Sequence, residues 1–202
     1  MRAMKILFWG TPNFAVPSLR VLANDGVEIV GVVTQPDRPA GRGRRVKMSP
    51  VKEEALALGH EVLAPIRPQG QVFIERFTEL WPDLSVVVAY GHILKPEILD
   101  LPSLGSVNVH ASLLPQLRGA APVNWAIIRG HEQTGVTVMR MVEAMDAGPI
   151  IHQLSEPISD EDSASELMSR LSELGSLALR EALGSIKRGD TEEREQLEDV
   201  VS

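Results

Sequence analysis

Short apolar runs alternate with helix-spaced segments along the first hundred residues, a rhythm that predicts strands joined by crossover helices. Residues 5–10 form an apolar run closed by Gly10, and Thr11-Pro12-Asn13 then turns into a helical pattern carrying Phe14, Leu19 and Leu22. Residues 28–34 predict a second strand. Ser49 precedes Pro50 as an N-cap precedes a first helical turn, so a helix should run to about residue 58. A strand over 61–64, a helix over 70–80 and the most apolar strand, 84–90, follow. That last strand leads into Tyr90-Gly91-His92-Ile93-Leu94, where Gly91 either lets a ligand approach the backbone or simply makes a turn.

In the second half, residues 106–112 alternate polar with apolar, which sends Asn108, His110 and Ser112 to one face of a strand. Leu113-Leu114-Pro115 ends the strand, an Arg118-Gly119 turn follows, and Pro122 can open a helix. The polar row then lies at a strand's carboxyl end, where open α/β sheets bind ligands, unless neighbours simply satisfy it. Further strands are expected over 135–141 and 148–154, with a loop over 143–148. A helix over 163–187 carries Leu167, Leu171, Leu174, Leu177 and Leu183 at helical spacing, with Asp160, Glu161 and Asp162 at its positive end. The expected fold is α/β, a Rossmann-like doubly wound and mostly parallel sheet with helices on both faces. Residues 1–189 would form the domain, and the acidic stretch 190–202, poor in periodic apolar positions, would be a linker leading out of it.

Charge sharpens one segment. The net charge of -7 argues against broad non-specific binding to nucleic acid, yet Arg38, Arg42, Arg44, Arg45 and Lys47 fall within ten positions. Their surroundings, residues 35–49, are interrupted by Pro and Gly and read as a long irregular loop, either a binding loop for a focused anionic partner or a solvated one. The chain has no cysteine, which excludes disulfides, thiolate catalysis and Cys-ligated zinc. No apolar run reaches the roughly 18 residues of a membrane span, and no secretory leader is visible, so a cytoplasmic protein is expected. At the first strand-to-helix turn only Gly10 of a dinucleotide fingerprint is present, which disfavours NAD chemistry.

Asn108-x-His110 followed by Ser112-Leu-Leu-Pro and Arg118-Gly119, with Asp146-x-Gly148 downstream, resembles the folate-dependent formyltransferase family. Three further blocks, residues 8–17, 34–43 and 49–52, narrow the resemblance to members that formylate methionine on charged initiator tRNA. The likeness implies a catalytic set of Asn108, His110 and Asp146, with 10-formyltetrahydrofolate as donor and no metal. It implies a folate pocket formed by Tyr90, Gly91, His92, Ile93 and Leu94, with Ser112, Leu113, Leu114, Pro115, Val142 and Met145. Gly10, Thr11, Pro12 and Phe14 would face the aminoacyl end of the tRNA, Arg42 and its basic neighbours the acceptor stem, and Arg118 and Gly119 would also lie on the substrate side. A monomer is expected. The family normally continues into a C-terminal β-barrel domain, so the chain would correspond to the catalytic domain.

The residue types suit that chemistry. Formyl transfer to an amine passes through a tetrahedral species with an oxyanion, which needs aimed hydrogen-bond donors such as the Asn108 amide and the His110 ring. Asp146 can orient His110 and take the proton from the attacking amine. The substrate supplies the nucleophile. A small-molecule N-formyltransferase acting on an amino sugar or glycinamide ribotide, a folate-dependent hydrolase and an RNA-binding module with a degenerate site are the alternatives. The first would have no use for the basic segment, and the last none for an intact triad. His60, His131 and His152 match no motif.

Overall fold

Apolar runs of five or six residues are too short to make stable helices but long enough to be covered on both faces as strands. In the computed structural model of the chain, which describes residues 2–40 and 45–197, the first such run is β1 (Lys5–Gly10), followed by a 3-10 turn at Asn13–Ala15 and α1 (Val16–Asn24). Next come β2 (Glu28–Val33), the short strands β3 (Arg38–Ala40) and β4 (Arg45–Lys47), α2 (Pro50–Ala57), β5 (Val62–Leu63), α3 (Gln71–Leu80), β6 (Leu84–Val88) and α4 (Pro96–Leu99). After these lie β7 (Ser106–His110), α5 (Pro122–Ile128), β8 (Gln133–Arg140), β9 (Ile150–Pro157) and α6 (Ala164–Arg188).

The chain divides into two units, at the boundary between Ser106 and Val107. In the first, the strand order is β5-β2-β1-β6 and every pairing is parallel. Its core is aromatic. Trp9, fully buried, meets Phe73, Phe77 and Tyr90 at ring-centroid distances of 5.8, 6.1 and 5.2 Å, and its indole N–H donates to Ser85 Oγ at 3.1 Å. That hydrogen bond matters because an orphaned indole N–H in this core would cost about 1–3 kcal/mol.

In the second unit, β7, β8 and β9 pair antiparallel in that order, and α6 packs on β8 and β9. A side chain at Gly175 would press on Val109 and Val136, so the helix lies close against one face of these strands. The expected α/β class is found: the parallel strands of the main sheet lie in the first unit and its antiparallel strands in the second, and the first unit adds the small antiparallel pair β3 and β4.

Three expectations change. Residues 35–49 are not irregular throughout: Arg38, Pro39 and Ala40 pair with Lys47, Val46 and Arg45 as a hairpin. Two pairs of residues at its base explain why, since Thr34 Oγ1 and Ser49 Oγ lie 2.7 Å apart and Lys52 Nζ donates to both carboxylate oxygens of Asp37 at 2.9 and 2.7 Å. Strand β6 stops at Val88, because Ala89 takes a left-handed φ of 48°. The stretch after Gly189 also folds back: Arg194 and Ile150 exchange two backbone hydrogen bonds, 2.8 and 2.9 Å, and Gln196 is buried.

Helix α6 begins as its sequence implies. Ser163 and Glu166 form a capping box, and ahead of it Arg170 grips Asp162 with two hydrogen bonds of 2.7 Å. That fork, helped by the Ser159 backbone N–H, holds the Asp162 carboxyl down at about 2. A carboxyl with a lowered pKa in the folded state stabilises fully above its ordinary value of about 4 and loses that contribution as pH falls toward 2. Asp162→Asn should therefore flatten the acid limb of stability between those values, read as urea midpoints across a pH series; an unchanged limb would dissociate the pair from acid stability.

Candidate active site

Strand alternation selects which residues of β7 reach the site. Val107 and Val109 take the face covered by α6, so Asn108 and His110 take the other, with Met139 and Thr137 of β8 as their register partners. Asn108 is half-buried and its side-chain amide makes no hydrogen bond among the described residues. His110 is buried. Its Nε2 lies 3.0 Å from the Leu117 carbonyl oxygen, which can only accept, so Nε2 carries the hydrogen. The other ring nitrogen, Nδ1, faces Asp146 Oδ2 at 3.6 Å. That spacing is slightly longer than a hydrogen bond and within the reach of an ion pair.

Asp146 is held in place by the backbone. Its φ of 51° is left-handed, a conformation Asp adopts more readily than most residues, and the Gly119 N–H donates to its Oδ2 at 2.8 Å. Two residues on, a side chain at Gly148 would collide with the Arg140 carbonyl oxygen. The Asp-x-Gly pattern thus has a steric cause: only glycine lets this loop lie against the end of β8.

The turn after His110 is tied down by a threonine. Thr137 Oγ1 donates to the Ser112 carbonyl at 2.7 Å and accepts from the Leu114 N–H at 3.1 Å, while Gln153 Nε2 bonds both the Leu114 carbonyl and Thr137 Oγ1 at 2.9 Å. The Ser112 hydroxyl donates to the Gln116 carbonyl at 2.6 Å, so it serves the turn. Leu114, before a cis Pro115, is buried with Met139 and Ile150, and Leu113 and Pro115 are half-buried. Val142 and Met145 are exposed on the Asp146 loop, and Arg118 Nε donates to Gln196 Oε1 at 3.0 Å. The second unit therefore brings Asn108, His110, Ser112, Leu114, Arg118, Gly119 and Asp146 into one neighbourhood. Sequence reasoning missed Thr137, Gln153 and Gln196; only Thr137, alternating with valines opposite His110, left a signal.

The other candidates belong to the first unit, at the carboxyl ends of its parallel strands. The Tyr90 carbonyl accepts from Thr11 Oγ1 at 2.8 Å and from Gln35 Nε2 at 3.1 Å, linking the ends of β1, β2 and β6. Gly10 is buried, and a side chain there would crowd Ala15 and the Phe8 ring. Pro12 is exposed, and Phe14 is buried. The Tyr90 ring is buried with its hydroxyl unpartnered, and burial pushes the phenol up to about 12. Beyond it Gly91 takes a φ of 91°, His92 has a buried, unpartnered Nε2, Ile93 is exposed and Leu94 is buried. Arg38 and Lys47 are exposed on the hairpin, Arg45 contributes backbone to β4, and Arg42 and Arg44 lie outside the described residues. Among the described residues, no three His, Asp or Glu side chains cluster as metal ligands, and no helix is long and apolar enough to cross a membrane.

Solved structures with this fold are close in shape and distant in sequence. Glycinamide ribonucleotide transformylase 1 from Symbiobacterium toebii superposes with a TM-score of 0.77 at 20% identity, over 93% of this chain and 89% of that one. An N-formyltransferase from Helicobacter canadensis, solved with folinic acid and dTDP-3-aminofucose, gives 0.75 at 21% identity, over 98% and 70%. The fold is thus the α/β fold shared by transformylases and formyltransferases. Residues 4–183 match the family model described as formyl transferase, and the chain belongs to that family. Among curated relatives, a methionyl-tRNA formyltransferase of Clostridioides difficile is 47% identical over 187 residues, 93% of this chain and 60% of the relative. One from Bacillus cytotoxicus is 45% identical over 199 residues, 98% and 63%. The chain spans about three fifths of the length of these relatives.

Gly148→Ala should lower stability by about 2 kcal/mol or more, because the clashing partner is backbone and cannot swing away. Urea unfolding checks this; a loss under about 0.5 kcal/mol, the range of surface substitutions, would mean that the loop relocates at little cost.

Proposed function

We propose that this chain carries the catalytic machinery for moving the formyl group of 10-formyltetrahydrofolate to the amino group of methionine on charged initiator tRNA. The observation that carries the reading is the apposition of His110 Nδ1 and Asp146 Oδ2, two strand positions from the Asn108 amide. Formyl-folate, when bound, supplies the one-carbon unit. Asn108 then donates its amide to the formyl oxygen, where negative charge develops during attack. His110, its Nε2 held by the Leu117 carbonyl, presents Nδ1 toward the same reaction centre. Asp146 would accept the proton that the attacking amine gives up and return it to folate N10 as the bond between N10 and the formyl carbon breaks, and the Gly119 N–H keeps the carboxylate aimed.

The candidate folate contacts of the first unit are those of the turn after β6; those of the second, considered by itself, are the segment from Ser112 to Pro115 with Val142 and Met145. The positive φ of Ala89 and Gly91, the exposed Ile93 and the orphaned polar atoms of Tyr90 and His92 suit a flat ring with a polar edge held partly by backbone. Gly10, Thr11, Pro12 and Phe14 serve the aminoacyl end, as do Arg118 and Gly119, and the basic hairpin serves the tRNA backbone. The exposed Arg38 and Lys47 support a tRNA acceptor over a small amine, and the Asp37–Lys52 ion pair roots the hairpin that carries them. In this reading the catalytic domain takes in residues 1–189 together with the stretch that folds back on it as far as Leu197, and the enzyme acts as a monomer in the cytoplasm.

The assay is transfer of labelled formyl from 10-formyltetrahydrofolate to charged initiator tRNA, compared with glycinamide ribotide, an amino sugar nucleotide and water. Preference for a small amine would replace this acceptor, and formate release without an amine would indicate a hydrolase. Asn108→Ala should lower turnover about a hundredfold or more; near-normal turnover would refute its role at the oxygen. Arg42→Ala should weaken tRNA use and reduce the slope of log affinity against log salt by about one while folate affinity holds. Equal slopes would make the hairpin solvated surface.

A further inference from the structure

The segment following α6 makes a set of contacts that its composition does not announce. Arg140 Nε donates to Glu193 Oε1 at 2.7 Å, Arg194 bridges Ile150 through backbone, and Arg194 Nη2 donates to Gln153 Oε1 at 2.6 Å. Gln153 is the residue whose amide holds the Leu114 carbonyl and Thr137. Two positions further, Gln196 is 9% exposed in a chain stretch otherwise open to solvent.

Its amide is fully used. Nε2 donates to the Asp146 carbonyl at 2.9 Å and to the Gly148 carbonyl at 2.8 Å, while Oε1 accepts from Arg118 Nε at 3.0 Å. One side chain therefore joins both ends of the Asp146-x-Gly148 turn to the arginine next to Gly119, whose N–H holds the Asp146 carboxylate. A left-handed non-glycine residue persists only where its surroundings over-determine it, and at Asp146 these bonds are that surrounding.

We propose that the stretch from Thr191 to Leu197 is a strap that sets the site, with Gln196 as the positioning residue for Asp146 and Arg118. The strap acts on both halves of the site, on the Asp146 turn through Gln196 and on the Ser112 to Leu114 turn through Arg194 and Gln153. The catalytic part of this claim rests on the reading of Asp146 as proton acceptor; the positioning part does not.

The discriminating variants are Gln196→Glu and Gln196→Ala in the 202-residue chain. Gln196→Glu keeps the size and the acceptor for Arg118 but turns a carboxylate oxygen toward two carbonyls. It should lower kcat for formyl transfer to charged initiator tRNA by about tenfold to a hundredfold, the cost of slight misplacement, with KM for the folate donor within about twofold. In an Asp146→Ala background the same change should cost nothing further, because a residue acting through Asp146 has no effect once Asp146 is gone. Equal losses in both backgrounds would overturn the proposal. Exchange of the Gly119 amide, followed by NMR, should quicken at least about tenfold in Gln196→Ala while the core amides of α6 stay protected; unchanged Gly119 protection would also overturn it. If Asp146→Ala alone leaves turnover intact, the catalytic reading fails, and the Gly119 exchange still decides for or against the strap.

Discussion

A carboxylate held near an imidazole by a backbone amide is the constraint on which the second unit depends. Asp146 faces His110 with its own backbone left-handed, while the Gly119 N–H holds its carboxylate and the Gln196 amide its carbonyl. Gly148 is required for the same reason, since any side chain would push the turn away from Arg140. The strands β7 and β8 contribute rigidity rather than chemistry. They fix the Cα positions of Asn108 and His110, and the side chains inherit their direction from the pleat.

In the first unit a single carbonyl has a comparable place. Tyr90 O gathers Thr11 and Gln35, so the turns after β1, β2 and β6 share one acceptor. Beneath it the Trp9, Phe73, Phe77 and Tyr90 rings make a core in which Trp9 meets Phe73 and Tyr90 edge to face and Phe77 at a tilt. Rigid aromatics below and irregular turns above give a stiff base for a surface built from loops, the arrangement in which binding residues are commonly placed.

The strands were legible because burial on both faces leaves uninterrupted apolar runs, as at residues 5–10 and 84–88, and α6 was legible from its leucines and its Ser163 cap. Helix α4 was not, since four residues carry no period. The hairpin at Arg38 and Lys47 was hidden by Pro39 and by glycines that read as breakers, while the clasp that permits it joins Asp37 to Lys52, fifteen positions apart. Asn108, His110 and Asp146 stood out by pattern and resemblance. Thr137, Gln153 and Gln196 did not, because a lone polar residue becomes informative only when the fold sets a carbonyl beside it. The acidic composition of residues 190–199 suggested a linker, yet one arginine and one glutamine in it find acceptors in the second unit.

The bridge between Arg194 and Ile150 has a consequence for solubility. Strand β9 ends the row of antiparallel strands, and an unpaired outer edge of this kind is a template on which strands of other molecules can add. Arg194 occupies the Ile150 N–H and carbonyl at one end of that edge, and Arg170 takes up the Pro157 carbonyl at the other. Held at both ends by arginines, the edge offers a strand of another molecule a shorter stretch to pair with than the full length of β9.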